Sequence, residues 1–201
     1  MDHLLRWGVQ NSTAEGQQAQ QSEPRKDLDP AILDHILGRP DAELMKESLT
    51  KALDESLSEE ERIIALDDLE MLVEHIDNAN NLGKLQMYEP LQKLLTSSFS
   101  DNIKTQALWV IGTAVQNNPA AQKAYLELNP LHTLLGFLSP SVHSSQLRSK
   151  AVYTLSGLLK HNAAAVSELD RVGGWEAFRK ALEGESPQPS CANKKKRALT
   201  P

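Results

Sequence analysis

Cysteine is almost missing. Cys191 is the single one in 201 residues, so no internal disulfide can form and a reducing compartment suits the chain. With no histidine or acidic residue close to it in sequence, that thiol shows no nucleophile pattern. Aromatic residues make up 4% and β-branched residues are sparse, which disfavours a sheet. No run approaches the ~20 apolar residues of a membrane span. The opening stretch MDHLLRWGVQ lacks a basic segment followed by a long apolar one, so it is not read as a secretory signal. A cytoplasmic location is expected. The six histidines form no HxxxH or HExxH spacing, and GxGxxG, Walker A and CxxC patterns are missing. The expectation is therefore a protein that is not an enzyme and holds no cofactor or metal. Lys and Arg number 21 against 27 Asp and Glu, a net charge of −6, which argues against a nucleic-acid partner.

What is present is helix-forming: Leu, Ala, Glu, Gln and Lys dominate. The charge is uneven. Residues 41–77 hold thirteen acidic and three basic residues, and residues 148–201 hold ten basic and five acidic ones. Such asymmetry describes either solvated helix faces or a surface with an acidic and a basic end that orients a partner. Residues 11–27 are polar and Gln-rich, with no core-forming face, and read as a disordered linker. The domain expectation is thus a flexible N-terminal segment and linker over 1–27, followed by a helical repeat domain over 28–201. Leu4, Leu5 and Trp7 lie ahead of the linker, either as a docked helix or as a peptide-like binding segment.

Helix signals start with DPAILDHILG, where Asp29 caps, Pro30 occupies the first turn and Gly38 stops the run. DAELMKESLTKAL follows with apolar residues on one face. SEEERIIALDDLEMLVEHI then opens on a capping box of Ser58 and Glu61. Three stretches align from here: RIIALDDLEMLVEH, KTQALWVIGTAVQN and RSKAVYTLSGLLKH. Each places a basic residue three before an alanine (Ala65, Ala107, Ala151), and the alanines are spaced by 42 and 44. Matched apolar positions follow, and each stretch ends in an Asn-containing break: DNANN, QNNP or HNA. A second helix begins after each break, in YEPLQKLL, LNPLHTLLGFL and GGWEAFRKAL. This period lies in the armadillo/HEAT range and predicts an all-α right-handed superhelical solenoid that buries a shared core. In KKKRALTP, Lys195 precedes Ala198 by three, so this basic run reads as the start of a fourth long helix within an incomplete last repeat, 194–201. The rival reading is a nuclear-import tag.

Opposite the buried stripe of each long helix lies a second face. It holds Asp67, Glu70, Met71 and Glu74 on the first, Trp109, Gly112, Thr113 and Gln116 on the second, and Tyr153, Ser156, Gly157 and Lys160 on the third. In armadillo units this helix lines a concave groove. Trp109 on a polar face is either a binding anchor or packed against the neighbouring helix.

LLRWGVQNS at 4–12, LMKESL at 44–49, LDDLEMLVEHIDNANNL at 66–82 and ALWVIGTAVQNN at 107–118 resemble the fungal-like Fes-type and heat-shock-protein-binding armadillo proteins. Those are nucleotide exchange factors of the cytosolic 70-kDa heat-shock (DnaK-type) chaperones. The resemblance implies a co-chaperone whose solenoid embraces the chaperone's ATPase domain, opens its nucleotide cleft and speeds ADP release, so that ATP enters and the client leaves. It also implies a monomer with no membrane or nucleic-acid partner. The partner-binding candidates are Glu74, Asn78, Ala79, Asn80, Asn81, Trp109, Thr113, Gln116, Asn117, Tyr153 and Arg197, with DNANN expected as a tight turn that presents Ala79. Leu4, Leu5, Trp7, Asn11 and Ser12 form the expected client-release segment, which also reaches the client-binding domain. The alternative is an importin-like adaptor that binds peptides in its groove. That class uses Trp followed four residues later by Asn, and here Thr113 follows Trp109 and Gly157 follows Tyr153.

Overall fold

The computed structural model describes residues 38–96, 99–139, 142 and 144–183. These form ten helices and no strand: α1 Asp41–Leu53, α2 Glu59–Val73, α3 Ile76–Lys84, α4 Tyr88–Thr96, α5 Asp101–Val115, α6 Pro119–Leu126, α7 Leu131–Gly136, α8 Ser145–Leu159, α9 Ala163–Arg171 and α10 Gly174–Glu183. The long helices α2, α5 and α8 each run 15 residues. After each come two short ones, giving a repeating long–short–short order that accords with an armadillo-like all-α repeat.

The expected local signals are in place. The Ser58 side chain accepts from the Glu61 backbone N–H, and the Glu61 carboxylate reaches back to Ser58. Ser100 and Ser144 cap α5 and α8 in the same manner. Gly38 has φ +72°, as a helix stop requires; the helix expected before it, the Gln-rich linker and the basic run at 194–201 lie outside the described residues.

Two turns recur at the repeat spacing. Asn117 and His161 hold φ +49° and +56° just after α5 and α8, and Asn118 and Asn162 then cap α6 and α9 through their side-chain oxygens. Gln86, Asn129 and Gly173 hold φ +56°, +51° and +72° where the first short helix gives way to the second.

The first break departs from expectation. DNANN is not a turn: it lies inside α3, and none of its residues has a positive φ. The chain breaks at His75, which is extended. Asn78 Nδ2 donates to the Leu72 carbonyl at 3.0 Å and to Asp41 Oδ2 at 2.7 Å. Its amide thus satisfies the end of α2 and ties it to the start of α1. Burial of Asn78, Ala79 and Leu82 on one face outweighs the weak helix propensity of asparagine. PAAQKAYL and AAAVSELDR, which the repeat pattern leaves unread, form α6 and α9.

The core runs between the long helices and their short partners. Ala65, Leu69, Ala107, Ile111, Ala151 and Leu155 are all buried. Helix α5 packs against both α2 and α8, and α1 covers the other side of α2. Buried polar groups join the layers. Thr154 Oγ1 donates to the Leu108 carbonyl at 2.7 Å, binding α8 to α5. Gln122 Nε2 donates to the Gly157 and Lys160 carbonyls at the end of α8. Tyr125 donates to Gln92 at 2.6 Å while its ring packs against Tyr88 at a tilt of 37°. These contacts fix the mutual register of the long helices, which positions the surface described next.

Candidate partner-binding site

The outer faces of α2, α5 and α8 lie side by side in register. At spacings of 42 and 44 residues, Ile64, Gln106 and Lys150 form one row; Asp67, Trp109 and Tyr153 the next; Glu74, Gln116 and Lys160 the last. Across these rows the α2 positions include the carboxylates of Asp67 and Glu74, the α5 positions are neutral, and the α8 positions include the ammonium groups of Lys150 and Lys160.

Side chains cross both seams. Between α2 and α5, Asn102 Nδ2 donates to Glu59 Oε1 at 2.9 Å and Gln106 Nε2 donates to Asp67 Oδ1 at 3.0 Å. Thr113 Oγ1 donates to Glu70 Oε1 at 2.7 Å and lies 3.3 Å from the Tyr153 hydroxyl, so one polar chain spans all three helices. Glu70 is 7% exposed and makes no ion pair among the described residues; its hydrogen bond to Thr113 stabilises the buried charge. Between α5 and α8, Lys150 Nζ sits over the Trp109 ring at 3.3 Å from its centroid and 5.3 Å from that of Tyr153. Partial desolvation holds the Lys150 ammonium below the usual lysine range, against the opposing pull of Glu70. The Tyr153 ring lies close enough over Gly112 that a Cβ there would come within 2.5 Å of it. Gln116 packs over Gly157.

The expected site residues thus separate into three groups. Trp109, Thr113, Gln116 and Tyr153 are half-buried on this common face, with Glu74 and Asn117 exposed at the ends of their helices. Asn80 and Asn81 are half-buried in α3. Asn78 and Ala79 are buried, at 5% and 3% exposure, so neither presents a side chain to a partner. An arginine at position 79 would displace core atoms. Arg197, Leu4, Leu5, Trp7, Asn11 and Ser12 lie outside the described residues. Lys150 went unread as a site residue, although it stands one helical turn before Tyr153 on the same face. Among the described residues no three His, Cys, Asp or Glu side chains group as metal ligands, and no helix is long and apolar enough to cross a membrane.

Residues 78–190 match the profile of the SIL1/FES1/HPBP1 C-terminal domain. The chain belongs to the SIL1/FES1/HPBP1 family. Residues 1–82 match a second profile, described as nucleotide exchange factor Fes1. The family's two matched segments meet within α3, so the surface of α2, α5 and α8 takes one helix from the first and two from the second. Among relatives, the Hsp70 nucleotide exchange factor FES1 of Mycosarcoma maydis is 42% identical over 192 residues, covering 89% of this chain and 49% of that protein. The fes1 protein of Schizosaccharomyces pombe, of the same description, is 40% identical over 184 residues, covering 91% and 63%. The FES1 protein of Coccidioides immitis is 33% identical over 178 residues, covering 86% and 83%. The chain therefore spans less than two thirds of the length of the first two.

Proposed function

We propose that this chain is a nucleotide exchange factor for a cytosolic 70-kDa heat-shock chaperone. It binds the chaperone's ATPase domain through the face of α2, α5 and α8, favours the form with an open nucleotide cleft, and so speeds ADP release. ATP then enters and the client leaves. A binder changes the nucleotide's release only to the extent that it prefers one conformation of its partner. A broad face on packed helices suits that task, because it can hold one conformer without deforming itself. Family membership carries this reading, together with relatives described as Hsp70 nucleotide exchange factors.

In this reading Glu74, Trp109, Thr113, Gln116, Asn117 and Tyr153 touch the chaperone, with Asn80 and Asn81 at the border of the contact. Asn78 and Ala79 act from beneath by holding the end of α2. Arg197 extends the grip. Leu4, Leu5 and Trp7, with Asn11 and Ser12, contact the client-binding domain and promote client release. The protein works as a monomer in the cytoplasm and performs no catalysis of its own. An importin-like adaptor would need the Trp109 ring open to a peptide, and that face is covered by Lys150.

Stopped-flow release of a fluorescent ADP analogue from the chaperone provides the test. Substoichiometric amounts of this protein should raise the release rate at least tenfold. An unchanged rate at saturating protein would refute the reading.

A further inference from the structure

We infer that the groove between α5 and α8 receives a carboxylate side chain of the protein partner, and that Lys150 is the residue that reads it. The inference rests on the exchange-factor reading for the partner's identity and on the two seams for its chemistry.

The seams differ at equivalent positions. In the first, the amides of Asn102 and Gln106 meet the carboxylates of Glu59 and Asp67. One repeat later, Gln146 and Lys150 replace the two amides, and Trp109 replaces Asp67. Of the two carboxylates in the first seam, Glu59 keeps an acidic counterpart in Asp101, which pairs with Lys104 on its own helix, whereas Asp67 has none, and there a cation faces a ring instead. Among the described residues no carboxylate lies within 4.0 Å of the Lys150 ammonium. Glu70, which acts on it from a distance, has one carboxylate oxygen engaged by Thr113.

The groove is shaped for such a visitor. It is lined by Thr105, Gln106, Trp109, Ser145, Gln146 and Ser149 beside Lys150. These are neutral hydroxyl and amide groups around one cation and one aromatic wall, with no acidic side chain in the lining itself. Thr105 and Gln106 are already engaged, with the Asp101 carbonyl and Asp67 respectively. Ser145, Gln146 and Ser149 form no side-chain hydrogen bond among the described residues, which leaves their donors available. The ammonium is partly stripped of water and only partly compensated by the π faces. An arriving carboxylate gains a charge-assisted hydrogen bond from an ammonium that is already partly desolvated. The matching positions on α5 and α2 are Gln106 and Ile64, so this recognition belongs to α8 alone.

The test compares Lys150→Met, which keeps the length of the stem, with Lys150→Arg, which keeps the charge. Affinity for the chaperone's ATPase domain is measured at two salt concentrations. Lys150→Met should raise Kd about tenfold and flatten the salt dependence, while Lys150→Arg stays within about threefold of the parent. Wild-type affinity in Lys150→Met overturns the inference. A second arm does not need the chaperone. With Trp7 and Trp175 changed to Phe, Trp109 is the sole indole, and its emission is followed while a hexaglutamate peptide is added. A saturable change that disappears in Lys150→Met is expected, with none from hexalysine. If the parent chain fails to bind the chaperone, the exchange-factor reading falls and this arm decides alone: a response lost in Lys150→Met keeps the carboxylate site, and no response overturns it.

Discussion

At the scale of single residues, backbone conformation and burial decide what a side chain can do. Gly173 shows the first. It holds φ +72° with nothing within 4 Å of where a Cβ would stand, so space is not the constraint and only the left-handed backbone is. Gly173→Ala should cost about 1 kcal/mol, seen as a lower urea midpoint with an unchanged slope. A variant as stable as the parent would show that α10 tolerates a different turn. Ala79 shows the second. Its small side chain and its asparagine neighbours suggest an exposed turn, yet it packs in α3 because Asn78 turns its amide inward onto Asp41 and Leu72. Local sequence carries the preference of asparagine for turns; it does not carry the position of a carbonyl six residues back that takes a second donor beside the His75 N–H. Trp109, Thr113 and Tyr153 were legible, because the repeat spacing assigns each to the face opposite the buried alanines. Their pairings were not, since Lys150 over Trp109 and Thr113 onto Glu70 depend on the offset between neighbouring helices, which tertiary packing sets.

At the scale of elements, α1 and α2 could be read almost to the residue and α5 and α8 to within about three residues, whereas the first short helix after each long one could not. The capping box of α2 and the apolar faces of α1, α5 and α8 are local signals spread over three or more turns. Helices α3, α6 and α9 have two turns each, too short for a period to declare itself, and they are held by burial of residues such as Ala79, Ala121 and Ala165. Their starts are chemically specific all the same. Asn118 accepts from the Ala121 N–H and Asn162 from the Ala165 N–H, at nearly the same backbone angles. Asn118→Ala should therefore destabilise the protein by about 1 kcal/mol, and Asn118→Ser should recover most of that. Chemical denaturation of the three proteins checks the ranking; equal stability of all three would remove the cap from the account of how α6 begins.

At the scale of the whole molecule, carboxylates set the acid limit. Glu61 is held below its ordinary value by the hydroxyl and backbone N–H of Ser58, Glu59 by the Asn102 amide, and Asp54 by Ser56. Glu168 and Glu176 are lowered by Arg171 and Arg179. Each binds its proton less readily folded than unfolded, so the stability it contributes is present above the ordinary glutamate value of 4.5 or the aspartate value of 3.8. It is lost as pH falls through the lowered folded values. Thermal midpoints should stay level from neutral pH to about 5 and then fall steadily. A midpoint still level well below those values would mean that these hydrogen bonds contribute nothing. The far edge of the array differs from its middle. Leu66 and Leu108 are fully buried, while Val152, at the same repeat position on α8, is 48% exposed.

The place of α5 between α2 and α8 bears on how the chain folds. Its neighbours in space are the preceding and following repeats in sequence, so its contacts form without closing very long loops. Quasi-one-dimensional arrays of this kind can nucleate at any pair of units and grow outward. Among the described long helices only α5 docks on a 15-residue helix in both directions, while α2 has the shorter α1 on its other side and α8 has no further long helix beyond it. Its amide hydrogens should be the last to exchange with solvent, and those of α10, where Trp175 and Leu182 remain exposed, the first.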